Sequence, residues 1–498
     1  MTDRTDGYVT DVSYTADYCR ELNPLRMKLA LLHAGVRAPE ISTACELGFG
    51  HGVSLNIHAA ASSTQWYGTD INAAHAGFAR QLATVSGTGI GIFDEAFDDF
   101  TSRPDLPDFD YIGLHGVWSW ISDRNRAVIV DFVRRKLRQG GVLYIDYNAL
   151  PGWSAFSPMR HLFVEHANRA GTDDRRTLDR VDDAVAFVER LLSVDPDYAR
   201  DDSRIRDHFK KLRGEDGRYL AHEYFNRDWL PMHFATVAEW LKPALVNYAG
   251  SANFADHLDV IRLTEKQRGL LEETADPVFR QSVRDFIINR RFRHDFWIKG
   301  TTMLAAPERD EALRKLRVVL ATPSPELPFK LRVAMTLNRI NFGETVCMPI
   351  LELLADGQAR SLDEIEQAIG HGGICLAQIA DAVMLLASLD HVVAAQDATV
   401  AAAARPRTDR LNAHLLKRAY TSDDIDTLVS PVTGGGVRVR RMQQIFLSAF
   451  HQGQTQSDAW ADEASKILIP RQSDPSLADE ARVFAAKKLP LLRALQIA

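Results

Sequence analysis

The sequence predicts an α/β protein: a doubly wound, mostly parallel sheet of seven strands, carrying a helical insertion and followed by a mostly α C-terminal domain. Two observations carry this. From Ile41 to Tyr147 short apolar runs alternate with amphipathic stretches, the pattern of parallel strands joined by crossover helices. A glycine-rich turn, Glu46-Leu47-Gly48-Phe49-Gly50-His51-Gly52, joins the first such run to the first amphipathic stretch, where open α/β sheets bring backbone close to a ligand.

Five strands follow from the apolar runs: Thr43 to Leu47, Trp66 to Thr69, Gly89 to Phe93, Asp110 to Leu114 and Val142 to Tyr147. Helices are expected to start near Gly52, Asn72 and Arg124, the last stopping at the Gly140-Gly141 pair, since glycine suits a helix C-terminus. After Pro151-Gly152 the pattern turns helical, as in Asp182 to Leu192 and Asp202 to Leu212, and predicts an insertion over about 155–243. A helix from Phe234 to Leu241 then leads into Ala244 to Gly250, and Arg290 to Gly300 reads as another strand. These two are the candidates for the sixth and seventh strands of the sheet.

Beyond Pro323 and Pro325 the chain reads as a separate unit. VCMPILELLADG, SLDEIEQAI and LAQIADAVMLLASLDHVVAA predict three short helices and a strand, and Gly434-Gly435-Gly436-Val437-Arg438-Val439 has the chemistry of a hairpin, together a winged-helix-like pattern. The alanine run near Ala401, followed by Arg405-Pro406-Arg407, reads as a flexible loop.

At 498 residues the chain exceeds what one compact core supports. Its 46% apolar and 25% charged residues are ordinary for a packed globular protein. A net charge of -7 gives no overall electrostatic reason to bind nucleic acid or an anionic membrane. From Val346 to Ala498, 15 Lys and Arg face 18 Asp and Glu, which disfavours DNA despite Arg438, Arg440 and Arg441 on one hairpin. Such a module suits docking of a protein substrate or of a second subunit, as in a homodimer. Cys19, Cys45, Cys347 and Cys375 are scattered and read as small buried hydrophobes, with no metal-ligand spacing. The start lacks a basic-then-apolar signal and no run approaches a membrane span, so a cytoplasmic location is expected.

The glycines of ELGFGHG fall as GxGxG, which differs from the GxGxxG of dinucleotide folds. Glycine here lets the backbone of Gly48, Phe49, Gly50 and Gly52 approach a ligand and aim N–H groups at it. Glu46, at the end of the first strand, suits the ammonium of a methionine-like ligand better than a pyrophosphate. Asp70 closes the second strand about twenty residues later, where a carboxylate can accept two ribose hydroxyls, although an aspartate at this place also suits the N-cap of the next helix. Asp94, flanked by Glu95, suits an adenine amino group or is a solvated acid of the DEAFDDF stretch; Ile71 flanks Asp70. Together these groups fit S-adenosylmethionine (SAM), with S-adenosylhomocysteine as product.

The fourth strand runs into Leu114-His115-Gly116-Val117-Trp118-Ser119-Trp120 and the fifth into Asp146-Tyr147-Asn148, both at the ligand edge of the sheet. His115 is the candidate base or acceptor-orienting group and also a cofactor neighbour, with Tyr147 and Asn148 as its catalytic companions. Trp118, Trp120 and Trp153 would furnish an aromatic acceptor pocket that lowers the pKa of an amine and attracts its cationic product. Tyr14 would join that pocket and Tyr18 would fold over the cofactor, unless both only pack a helix. His222 and Glu223 lack a second histidine four residues on and read as packing and cap.

The ordered set ELGFGHG, YGTD, FDYIGLHGVWSWIS, LRQGGVLYIDYNALPGW and YLAHEYFN resembles bacterial class I SAM-dependent methyltransferases with a methyltransferase regulatory domain, a group that includes the lysine methyltransferases of rickettsial outer membrane proteins. The resemblance covers most of residues 10 to 300, and HGVxSW and YNxLPGW are its more specific parts. It implies a Rossmann-like sheet, SAM as methyl donor, Glu46, Gly48, Gly50 and Asp70 as its loop and ribose residues, and Asp94 at the adenine. The stretch YTADYCRELNPLR departs from the Pro-rich, His-Pro-Asp segment of the rickettsial enzymes. The expected layout is a helical cap over the cofactor at 1–40, a methyltransferase domain at 41–300, a connecting segment at 301–345 and the winged-helix-like domain at 346–498.

The expected reaction is in-line displacement of a sulfonium methyl by a neutral nucleophile, in which positioning and desolvation supply much of the rate. A protein or peptide substrate methylated at lysine nitrogen is the leading expectation. A small-molecule or peptide natural-product N- or O-methyltransferase is the alternative within enzymes, and a SAM-binding regulatory adaptor the alternative outside them.

Overall fold

The computed structural model describes residues 7–9, 11–12, 14–169, 176–323, 342–370, 373–467 and 475–498. Pro325, one of the two prolines expected to open the C-terminal unit, lies outside the described residues.

Seven strands form one sheet: β1 Thr43–Leu47, β2 Gln65–Thr69, β3 Gly91–Phe93, β4 Phe109–Leu114, β5 Leu137–Asn148, β6 Val246–Ser251 and β7 Phe292–Lys299. Their spatial order is β3-β2-β1-β4-β5-β7-β6. β1 pairs in parallel with both β2 and β4, while β7 runs antiparallel to β5 and β6. The middle of the sheet is buried on both faces, as in β4 where all six residues are buried, which is why these strands read as continuous apolar runs. After β3 the chain returns to the other side of β1, so the sheet's order reverses between β1 and β4. That reversal opens a crevice at their carboxyl ends.

The five expected strands and the two added candidates all belong to this sheet. One expected boundary is wrong. The helix Asp123–Lys136 ends at Lys136, its C-cap Leu137 donating to the carbonyl of Val133, and β5 starts at once. Gly140 and Gly141 lie inside β5, opposite the register shift between Phe109 and Tyr111 of β4. Glycine there serves an irregular strand instead of a helix stop.

The insertion holds four longer helices, Ser157–Arg169, Thr177–Ser193, Ser203–Leu212 and Gly217–Tyr224, around a core of Phe163, Val181, Phe209 and Tyr224. Trp153 and Val12 complete that core, so the N-terminal segment is tied to the insertion.

Farther along, β8 Arg317–Leu320, β9 Arg360–Ser361 and β10 Val392–Ala395 form an antiparallel sheet in the order β10-β8-β9. Helices Met348–Leu353, Leu362–Ile369 and Leu376–Ser388 accompany it. The hairpin is a two-stranded sheet of its own, β11 Thr427–Ser430 with β12 Gly435–Arg438. Arg438 is paired with Asp426, and Arg441 donates to the carbonyls of Ala419 and Tyr420, so two of the three arginines there serve the chain itself.

The expected flexible loop at Ala401 is instead part of a 21-residue helix, Ala398–Arg418, with Pro406 inside it. Its buried face, Ala401, Ala404, Thr408, Leu411 and Leu415, packs on the helices Val53–Ala61 and Ala73–Ser86 that cover the main sheet. Arg407 reaches the carbonyl of Ala60 and Arg410 that of Ser86. Alanine is the best helix former, and this tertiary packing outweighs the hydrogen bond that Pro406 removes. Cys19, Cys45 and Cys347 are buried as expected, whereas Cys375 is exposed. Among the described residues no group of His, Cys, Asp and Glu has the geometry of a metal site, and no helix is long and apolar enough to cross a membrane.

Candidate active site

β1 delivers Glu46 and Leu47 to the crevice, and the chain then turns sharply through three glycines with φ of +74° at Gly48, +55° at Gly50 and +67° at Gly52. At Gly48 a Cβ would stand 2.6 Å from Cγ2 of Val117, and at Gly52 2.6 Å from Cβ of Ala79, so both backbone sign and space require glycine. Gly52 is the N-cap of Val53–Ala61. The loop does not present its N–H groups to a ligand as expected. Gly48 and Phe49 donate to the carbonyl of Thr69, Gly52 to that of Phe49, and Gly50 to Oδ2 of Asp70 at 2.8 Å. The glycines therefore serve the turn and its close approach to β2.

A cavity of about 650 Å³ lies at this edge. The loop contributes Glu46, Gly48, Phe49 and Gly50 to its wall, β2 leads in Asp70 and Ile71, β3 leads in Asp94 and Glu95, and β4 leads in His115. Tyr14 and Trp120 line it as well. Eight carboxylic acids and one arginine face the cavity, so it favours cationic ligands.

Glu46 is buried, and its Oε2 has no hydrogen-bond partner. Burial pushes its carboxyl up to about 8, helped by Asp70 and opposed by His115. A buried, unpartnered acid fits the ammonium of a methionine-like ligand, so the residues present suit SAM. Asp70 accepts from the backbone of Gly50 and of Asn72, and its Oδ1 lies 3.4 Å from Nδ1 of His75. It is not the N-cap of the following helix; Asn72 is, accepting from Ala74 and His75. Asp94 pairs with Arg80 at 2.8 Å and Glu95 with Arg103 at 2.8 Å, at the rim.

His115 opens into the cavity and binds Asp146 through Nδ1. Asp146, on β5, is fully buried: Oδ2 also accepts from the hydroxyl of Tyr144 and Oδ1 from the backbone of Gly116. Burial disfavours the imidazolium, but Asp146 and Cys19 outweigh it, so the pKa of His115 lies well above its usual value. Its bond to Asp146 fixes the ring at the cavity wall, where the sequence expects an acceptor-orienting group or base.

Several expected site residues stand elsewhere. Tyr18 packs against Gly435 and Gly436 of the hairpin, its hydroxyl 3.0 Å from Nε2 of His58, and lies off the cofactor crevice. Gly52 shapes the loop without lining the cavity. Tyr147 alternates to the opposite face of β5 from Asp146 and donates to Oδ2 of Asp295 at 2.9 Å, fully buried. Trp118 is core, packed edge-on to Trp240. Trp153 belongs to the insertion core, edge-on to Trp229 and with the Arg291 guanidinium 4.5 Å over its ring. Large rings were buried where a neighbouring core offered space, so the acceptor wall holds only Trp120 and Tyr14 of the four residues expected there. Asn148 is buried, with its N–H bonded to Oγ of Ser119 and its unpartnered Nδ2 beside the carboxyl of Glu223.

Two residues that matter to the site escaped the sequence reading, Tyr8 in the cavity wall and the buried Asp146 behind His115, and Glu223 stands closer to it than packing alone implies. Tyr8 lines it and packs on His222, as does Tyr14, with ring centroids 5.4 and 4.9 Å away. Asp146 holds Nδ1 of His115. Glu223, expected as packing and cap, lines the cavity, and burial pushes its carboxyl up to about 7. An acid among Leu220, Ala221 and Tyr224, in a helix otherwise turned to a core, was the available signal.

Residues 216–299 match the family described as a predicted methyltransferase regulatory domain. Protein sll1526 of Synechocystis is 33% identical over 508 residues, covering 99% of both chains. Protein RP789 of Rickettsia prowazekii is 23% identical over 317 residues, 62% of this chain and 55% of its own. In three dimensions the chain is similar to PKMT2 from Rickettsia typhi, solved alone and in complex with AdoHcy, with TM-scores of 0.68 and 0.69 and 17% identity over 97% of this chain and 99% or more of that one. The sheet order, with the acidic crevice at its reversal, is that of the class I SAM-dependent methyltransferase fold. The chain belongs to one family with protein sll1526 of Synechocystis, and its own residues 216–299 carry the methyltransferase regulatory segment.

Proposed function

We propose that this methyltransferase transfers its methyl group to a protein side chain, at lysine nitrogen. SAM supplies an electrophilic methyl on a sulfonium. In this reading Glu46 holds the amino end of the donor, Asp70 its ribose hydroxyls, and Asp94 and Glu95 stand at the adenine end. Tyr8 and Tyr14 close over the cavity and exclude water, which strengthens every charge interaction inside it. His115, held by Asp146, stands at the wall where it orients the acceptor.

The observation that carries the acceptor class is the acidity of the cavity, eight carboxylic acids against one arginine. A cationic donor and a cationic side chain are both drawn to such a wall. The full-length likeness to the fold of PKMT2 supports the same reading, as do the insertion and the C-terminal region, which offer surface for gripping a protein. Incubation of the purified chain with methyl-labelled SAM and a cell lysate tests it. Label is expected in protein bands, recovered as methyl-lysine after hydrolysis. Label confined to small molecules would reject the protein acceptor.

A further inference from the structure

Glu223 is a half-buried acid in the cavity wall that the donor-binding residues leave unused. The helix Gly217–Tyr224 turns Leu220, Ala221 and Tyr224 into the insertion core and Glu223 toward the cavity. Groups that do not touch the carboxyl hold this position. Nε1 of Trp120 donates to the carbonyl of Glu223 at 3.2 Å, and Arg160 donates to that of Tyr224 at 2.8 Å. Among the described residues no cation forms an ion pair with Glu223. Asn148, from the end of β5, stands beside its carboxyl, and Tyr8 and Tyr14 pack on the preceding residue, His222.

Several neighbours on the acceptor side are already engaged. Nδ1 of His115 is bonded to Asp146, and both oxygens of Asp146 accept hydrogen bonds. Burial keeps the phenols of Tyr8 and Tyr14 neutral. Glu46 lies beside the glycine loop, at the donor's amino end.

We propose that Glu223 accepts the proton of the methyl acceptor, and that this acceptor is a primary alkylamine, such as the end of a lysine side chain, entering between Glu223, Asn148 and His115. The inference rests on the methyl-transfer reading above. An ammonium proton passes to a carboxylate oxygen of Glu223. The freed nitrogen lone pair then forms the N–C bond while the donor's S–C bond breaks, its electron pair going to sulfur, and the product ammonium carries one methyl in place of one proton. Glu223 returns its proton to water. A carboxyl pushed up to about 7 is suited to this, because at neutral pH it is both ionised often enough to act and basic enough to compete.

The experiment uses the full chain with S-adenosylhomocysteine bound and n-butylamine as probe, in three forms: wild type, Glu223→Gln and Glu223→Asp. Calorimetry is expected to show S-adenosylhomocysteine affinity within about 3-fold in all three, since the carboxyl lies apart from the donor site. Butylamine affinity of the wild type should rise about tenfold through an inflection near pH 7, the charge change of Glu223. Glu223→Gln should lack the inflection and bind at least about 10-fold more weakly, while Glu223→Asp keeps it. In the lysate assay Glu223→Gln should label protein about 100-fold more slowly or worse. Failure of the wild-type complex to bind butylamine would overturn the inference. So would an unchanged inflection in Glu223→Gln, or a loss of S-adenosylhomocysteine by that variant, which would make the carboxyl structural. Protein label undiminished by Glu223→Gln sinks the proton role alone, whereas no protein label from the wild type sinks the acceptor reading itself.

Discussion

Glu46 and Asp146 show two opposite fates of a buried acid within one site. Glu46 has no partner and is pushed up to about 8, so the folded chain holds its proton more tightly than the unfolded one. Its effect on stability is therefore absent at low pH and grows unfavourable as pH rises from 4.5 toward about 8. Glu46→Gln should flatten part of that decline in urea unfolding of the ligand-free chain. The same variant should bind S-adenosylhomocysteine at least about 10-fold more weakly, a loss of about 1.4 kcal/mol. Asp146 is paired, and its carboxyl is held below the usual range by His115 against the cost of burial. Its contribution is present above the unfolded value near 3.8 and is lost as pH falls through the lower folded value. That of His115 is present below its unfolded value near 6.5 and is lost as pH rises through the higher folded one. Asp146→Asn should cost about 1–3 kcal/mol by denaturant unfolding, because Tyr144, Gly116 and His115 lose a charged acceptor. In that variant the imidazole resonances of His115 should titrate at lower pH. Glu46, Gly48, Gly50 and Asp70 were readable as neighbours at one sheet edge, and all four line the cavity. The pairing of His115 was not readable, because it depends on an aspartate 31 residues away that only strand pairing brings to it.

At the scale of elements, the glycine loop and the helix Ala398–Arg418 respond differently to a single methyl group. Gly52→Ala adds a contact of 2.6 Å with Ala79 to a left-handed backbone, whereas at Gly50 nothing lies within 4 Å and only the backbone strain remains. Urea unfolding should show Gly50→Ala costing about 1 kcal/mol and Gly52→Ala about 2–4 kcal/mol. Pro406→Ala should stabilise the chain by about 1–2 kcal/mol, by restoring an interior helix bond without disturbing the packed face, which would otherwise be part of a penalty near 3 kcal/mol. Strand positions were legible because a buried parallel strand is a short apolar run with little ambiguity. The helix was not, since Arg405-Pro406-Arg407 is a turn signal locally, and only packing on Val53–Ala61 and Ala73–Ser86 overrides it. Gly140-Gly141 misled for the same reason: the pair suits a helix stop until a partner strand with an irregular register is seen.

For the whole molecule, the C-terminal region is built into the back of the methyltransferase sheet. Leu411, Leu415 and Leu428 share one apolar cluster with Val53, Ile57 and Leu82 from the helices that cover that sheet. Leu411→Ala should therefore cost about 2–5 kcal/mol, and calorimetry should show the sheet and the C-terminal region melting in a single transition in the wild type. Separate transitions would show that the shared cluster does not couple them. The alternation of apolar runs, the GxGxG loop and the acids at the strand ends were enough to establish the sheet, its ligand edge and a SAM-like site, because each rests on residues near one another in the chain. The acceptor side was different. Which face of β5 carries Asp146 and which Tyr147, where Trp118 and Trp153 find burial, and how Glu223 arrives from a helix of the insertion all depend on contacts between segments far apart in sequence. Side-chain direction and burial are set by that packing, and with them the charge of every group that meets the acceptor.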